Sequence, residues 1–188
     1  MDDTAAELCA DQVRRFDRDR YLTTLFAPRE KRPSLWAVYA FAVEIARAGE
    51  AREDIAREIR LQWWRDRIEA IYGGLTQEAP IARALSEVVR MHGLSRRRLD
   101  ALIEAEGAEA SGLSLQIALE VLGATDDASM EAGRLVGLSY ATGDPSHRDA
   151  ARSLRPAKHA TPALLLRRGG RVGLPIRLAW AAWVGRFF

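Results

Sequence analysis

Apolar positions recur along this chain with helical spacing and nowhere with the strict alternation of a half-buried strand. A first helix is expected from Thr4 to about Phe26, since nothing in that run breaks it. Pro28 and Pro33 bracket a basic turn, APREKRPS, after which Ser34 reads as an N-cap. LWAVYAFAVEIARA is apolar almost all round, the mark of a central buried helix. A further helix is expected from about Glu53 to Tyr72, and it carries two stripes. Ile55, Ile59 and Trp63 recur at i, i+4 and i+8; Trp64, Ile68, Ile71 and Tyr72 form an overlapping second set. Adjacent Trp63 and Trp64 point about 100° apart around the axis, so they cannot share one neighbour. Trp63 is expected to be largely buried and Trp64 to touch a different helix.

Gly73-Gly74 closes that helix, and Pro80 opens the next. IARALSEVVRMHGL is amphipathic, with Ile81, Leu85, Val88 and Val89 inward and Gly93 as its C-terminal turn. Ser95 reads as the cap of RRRLDALIEAEGAE. Two helices rich in small residues follow, SGLSLQIALEVLGA and ASMEAGRLVGLSYATG. Ala132, Gly133, Gly137 and Ala141 would let these helices approach closely. No repeat is present, and the fold class is all-α.

Composition narrows this picture. A chain of 188 residues with 48% hydrophobic residues suits one globular core rather than two, and excludes wholesale disorder. The one cysteine, Cys9, excludes a disulfide framework and any cysteine-rich metal site, and suits a reducing compartment. MDDTAAELCADQVRRFDRDR is too charged for a signal peptide, and no apolar run reaches membrane-spanning length. A cytoplasmic protein, at most peripheral to a membrane, is expected. Charge is unevenly placed. Residues 1–143 hold 19 Lys/Arg against 24 Asp/Glu, and residues 144–188 hold 9 against 2. An acidic body does not fit a nucleic-acid binder.

Three blocks, FDRDRYLTTLFAPREKRPSLWAVYAFAVEIARA, EIRLQWWRDRIEAIYGG and PIARALSEVVRMHGLSRRRLDALIEA, resemble the squalene/phytoene synthase family in order, spacing and content over roughly residues 13–106. The likeness is greatest to the phytoene-synthase-like branch that includes assembly factors for respiratory complex I. AEASGLSLQIALEVLGA and AGRLVGLSYATG resemble two further helices of that fold. The resemblance implies an antiparallel helical bundle of the isoprenoid (terpenoid) synthase type, here incomplete at the C-terminus. Family enzymes join two prenyl diphosphates head to head, using Mg²⁺ held between two Asp-rich helices.

The chain departs from that pattern where the chemistry lies. Matching VYAFAVEIARAGE to the first Asp-rich helix puts Ala46, Arg47 and Glu50 where aspartates would stand. Only Glu50 keeps a carboxylate, a weak metal candidate, and Arg47 would repel a cation. Residues 144–188 supply no second Asp-rich helix. No metal site and no cofactor is therefore expected. Tyr21, Tyr39, Phe41, Glu44, Arg47 and Trp63 are the candidates for lining a cavity, and a prenyl or lipid chain is its expected guest. The implied function is that of a family member not competent for catalysis, acting in respiratory-complex assembly with a protein or peripheral membrane partner. The alternative is a Mg²⁺-dependent prenyltransferase condensing two prenyl diphosphates. Arg96, Arg97 and Arg98 read as a solvated helix start rather than a phosphate patch. His92 reads as a helix C-terminal cap, Asp126-Asp127 as a loop and N-cap, and Cys9 as structural or surface.

Residues 1–143 read as the partial synthase-like domain and 144–188 as a basic, Pro- and Gly-containing tail. Four of the seven prolines fall in that tail, and the resemblance stops after SYATG. Codons permitted for Gly143 to Leu165, re-read one base later, give EILRTATQRGLYVPPSMLRRHY, which restores the family pattern. The tail is thus expected to be a frameshift product: irregular, with short helical pieces around Leu164–Arg168 and Arg177–Trp183 and partly exposed apolar residues. Resequencing the gene at the Gly143 codon is expected to reveal an inserted or deleted base. An unambiguous frame, with the same tail in close relatives, would overturn this.

Overall fold

A computed structural model describes residues 3–166. Among them are ten α-helices and no strand: α1 (Asp3–Phe16), α2 (Arg18–Thr24), α3 (Arg32–Gly49), α4 (Asp54–Tyr72), α5 (Pro80–His92), α6 (Arg96–Glu104), α7 (Gly107–Leu122), α8 (Asp127–Thr142), α9 (Pro145–Ser153) and α10 (Thr161–Leu164). The all-α class is as expected.

Helix α3 is the axis of the core. It packs on α1, α4, α5 and α7, which explains a sequence apolar on every side. Leu35, Ala37, Val38, Tyr39, Ala40 and Phe41 are all buried. The most extensive helix pair is α7 with α8, and small residues make it so. A Cβ added to Gly137 would lie 2.5 Å from the Cα and N of Gly112. The two backbones therefore touch at this crossing.

Several expectations are corrected. The first helix is two. Asp17 leaves helical geometry (φ −143°, ψ 72°) and its side chain accepts from the Arg20 N–H, capping α2. Ser34 is not a cap, because α3 starts at Arg32 with Pro33 in its first turn. Ser34 is buried, and its Oγ lies 3.0 Å from His92 Nε2. His92 is accordingly no carbonyl cap: its other nitrogen lies 3.4 Å from Lys31 Nζ. Burial and the Lys31 charge both lower its pKa. The Ser95 side chain caps nothing. Its N–H donates instead to Glu120, which also pairs with Arg98. Asp126 does cap α8, through Ser129 N–H.

Trp64 touches a different helix, as expected, but Trp63 is not the buried one of the pair. Trp64 is the core residue, 4% exposed, and meets Phe41 of α3 edge-on with centroids 4.9 Å apart. Trp63 is 40% exposed and rests edge-on against Trp64. The stripe that faces the core is Leu61, Trp64, Ile68 and Ile71, while Ile55 and Ile59 are exposed.

Residues 144–166 are more ordered than expected of the tail. Asp144 caps α9 through Ser146 N–H, and α9 packs on α8. Leu164, Leu165 and Leu166 are buried, not partly exposed. Arg148, itself buried, donates to the Leu164 and Leu166 carbonyls. The expected segment Arg177–Trp183, with Trp180 and Trp183, lies outside the described residues.

Two comparisons test this packing. Gly137→Ala is expected to destabilise by about 1–3 kcal/mol or more, because backbone cannot move aside. Gly49→Ala, in a helix with open space around it, should be neutral or stabilising by about 0.4–1 kcal/mol. Trp64→Ala should cost about 3–5 kcal/mol, and Trp63→Ala about 1 kcal/mol or less. Urea unfolding of the four variants reads all of these; equal losses for the two tryptophans would contradict the assignment.

Candidate functional site

Two hollows flank the second half of α3, and Arg47 lines both. The first is a groove of about 490 Å³ between α3 and α4, walled by Glu44, Arg47, Ile59, Arg60, Trp63 and Trp64. The second is a cleft of about 320 Å³ enclosed by α3, α7 and α8 with the α1–α2 junction. Ala46, Arg47 and Glu50 line this cleft, so the face matched to the first Asp-rich helix does point into a hollow.

The floor of the cleft is a buried charge network. Arg20 is 8% exposed and forms an ion pair with Asp17 three residues earlier. Its Nη2 donates to Ser111 Oγ at 2.9 Å and to Ser114 Oγ at 3.0 Å. The guanidinium also lies 5.7 Å from the Tyr39 ring centroid and 5.2 Å from that of Tyr140. Tyr140 Oη reaches Asp17 and Asp19 at 3.4 and 3.3 Å. Burial opposes the Arg20 charge, but the Asp17 carboxylate beside it favours that charge, and the pKa of Arg20 is raised. Burial likewise pushes the Tyr39 and Tyr140 hydroxyls up, and both stay protonated at neutral pH. One group is left over: Arg20 Nε is buried with no partner.

The candidate residues separate into sets. Glu44, Arg47 and Trp63 meet at the groove; Ala46, Arg47 and Glu50 meet at the cleft. Glu44 accepts from Gln12 Nε2 at 2.6 Å and lies 3.6 Å from Arg47. Tyr39 and Phe41 are fully buried behind the two hollows. Tyr21 lines neither and stacks on Trp36, with centroids 5.9 Å apart. Arg47 covers the Phe16 ring at 4.5 Å. Asp17, Arg20, Ser111, Ser114 and Tyr140 were not singled out from sequence. Their one trace there is the FDRDR run, whose partners lie some 90 to 120 residues away.

Magnesium, which the family resemblance implies, does not fit these residues. The ion needs several oxygen ligands at once. At the cleft, Ala46 offers none, Asp17 is committed to Arg20, and Glu50 stands alone against Arg20 and Arg47. Among the described residues no cluster of three or more His, Cys, Asp or Glu could hold a metal ion. Cys9 is buried in the core, its thiol pushed up to about 12 by burial, which leaves it unreactive.

The Arg20 network makes a definite prediction. Asp17→Asn should destabilise by about 3–5 kcal/mol, because it strands a buried guanidinium. Replacing both partners, as Asp17→Asn with Arg20→Met, should cost less than Asp17→Asn alone. A double-mutant cycle from urea unfolding measures this; strictly additive losses would contradict the pairing.

Residues 13–114, more than half of the chain, match the squalene/phytoene synthase family. Among curated proteins the chain is similar to "NADH dehydrogenase (ubiquinone) complex I, assembly factor 6" of Bos taurus, 33% identical over 97 residues, and of Homo sapiens, 32% over 97 residues. Each of these matches covers 51% of this chain and 29% of the relative. The Drosophila melanogaster homolog is 31% identical over 107 residues, 53% of this chain and 32% of the relative. The chain thus spans about a third or less of the length of these relatives. With the three sequence blocks, the all-helical fold and a match over more than half its residues, the chain belongs to the squalene/phytoene synthase family.

Proposed function

We propose that this protein is a non-catalytic member of its family that acts by binding, in the assembly of a respiratory complex. The observation that carries the reading is the exchange of charge at the cleft. Where a prenyltransferase of this family gathers carboxylates around Mg²⁺, this chain presents two guanidiniums, with Asp17 committed to one of them and Glu50 as the one other carboxylate lining the cleft. A diphosphate leaving group would lack its metal, and the Arg20 charge is already spent on Asp17, Ser111 and Ser114. The similarity to relatives named as complex I assembly factors supports the same direction. The chain would act in the cytoplasm or at a membrane face. No helix among the described residues is long and apolar enough to cross a membrane.

A prenyl or lipid guest is the second reading, favoured by the groove. Its volume falls in the range of small-molecule sites, and Trp63, Trp64 and Ile59 give it apolar walls. The prenyltransferase alternative has no such support at the cleft.

Purified protein incubated with Mg²⁺ and farnesyl or geranylgeranyl diphosphate is expected to yield no product above a no-enzyme control. Disrupting the gene in its own host is expected to deplete assembled complex I on native gels, and the intact gene to restore it. Metal-dependent turnover, or unaltered complex I, would overturn the reading.

A further inference from the structure

The outer face of α4 carries an apolar ridge that packs on nothing among the described residues. Ile55, Ile59 and Trp63 are 77%, 64% and 40% exposed and lie at i, i+4 and i+8. They form a ridge about 12 Å long at 1.5 Å per residue. Ile59 and Trp63 are also one wall of the α3–α4 groove, so the apolar surface is concave on that side. The charge beside it is predominantly positive. Arg47 and Arg60 line the groove, and the Arg67 guanidinium sits 5.5 Å over the Trp63 ring. Arg67 Nε is buried and finds no acceptor among the described residues. The groove holds one acid, Glu44, and it is held by Gln12. Of the acids on the other flank of α4, Glu58 pairs with Arg65 and Asp66 accepts from Gln62.

We propose that the α3–α4 groove is a docking site for an acidic amphipathic helix of another protein, whose apolar edge packs on Ile59 and Trp63 while its Asp or Glu side chains meet Arg60 and Arg67. A helix laid in a groove needs an apolar stripe with this spacing and a rim of opposite charge. Trp and Arg are the side chains that most often dominate such contacts. Residues 167–188 suit the site poorly, since they carry five arginines and no acid. A second copy would set Arg60 and Arg67 near their own counterparts. The inference rests on the assembly reading only in taking the occupant to be a protein.

The test uses the full chain and two fluorescein-labelled helical peptides of about 20 residues with the same leucine stripe. One is flanked by Glu and the other by Lys. The Glu peptide is expected to bind at least about tenfold more tightly than the Lys peptide, a difference of about 1.4 kcal/mol. Arg60→Glu with Arg67→Glu is expected to reverse that preference. Trp63→Ala should weaken the Glu peptide about tenfold or more with the circular dichroism spectrum unchanged. Equal binding of the two peptides, no binding of either, or indifference to the charge reversal would overturn the proposal. So would Trp63-dependent binding to phosphatidylglycerol vesicles without peptide binding, which makes the face a membrane contact, or Trp63-dependent dimerisation in sedimentation. If the assembly reading alone fails, the peptides still discriminate while gene disruption leaves complex I intact. If the groove alone fails, the Trp63 and Arg60/Arg67 variants restore complex I as well as the intact gene does.

Discussion

A guanidinium withdrawn from water has to be compensated by groups that several elements bring to it, and Arg20 imposes that demand on α3, α7 and α8. Asp17 supplies the countercharge, α7 supplies two serine hydroxyls, and α3 and α8 each supply a tyrosine ring. The helical break before α2 follows from this, since Asp17 serves at once as counterion and N-cap. So does the tight α7–α8 crossing. Gly112 adjoins Ser111, and Tyr140 lies three residues beyond Gly137. The contact of the two glycines therefore brings a hydroxyl and a ring to the same charge. A bulkier pair at the crossing would hold α8 away and leave part of that charge uncompensated.

Much of the fold is legible along the chain because its signals are local. Pro80 at the start of α5 and Gly93 at its left-handed end mark that helix without reference to any other. The all-round apolar character of α3 follows from its position among four neighbours. Helix α4 is harder, because it carries two apolar stripes of similar strength and periodicity cannot rank them. Ile55, Ile59 and Trp63 have the more regular spacing, yet the core takes Trp64, Ile68 and Ile71. What decides is Phe41, which offers an edge to Trp64 from a helix some 20 residues earlier. The same limitation hides the break at Asp17. In sequence, FDRDR is a charged stretch any helix could hold; only the buried partners on α7 and α8 give Arg20 reason to turn inward.

The candidate site divides along a similar line. That Ala46 and Arg47 carry no carboxylate is visible from residue identity alone, and the structure adds that both line a cleft. What residue identity cannot give is the floor of that cleft. A polar hollow must be filled or hydrated. Here it is floored by a cation that the protein itself contributes, on partners 91 and 94 residues away in sequence. A structural arginine suits such a place because its fork of donors can be shared among a carboxylate and two hydroxyls at fixed angles.

Arg47 connects the two hollows electrostatically. It lines both, covers Phe16 and stands 3.6 Å from Glu44. Its side chain is half exposed, so water screens its reach and the Glu44 contact is a weak tether. An anion arriving at either hollow therefore competes for the same guanidinium. The two sides compete unequally. At the cleft, the approach is flanked by Glu50, and the deeper Arg20 is already neutralised by Asp17. At the groove, Arg60 adds a second positive charge beside exposed apolar surface. Desolvating an ion pair is offset best where apolar area is buried in the same step, and only the groove joins those two features. Of the two hollows, the stronger attraction for an anion therefore lies at the surface of α4 and not in the interior cleft.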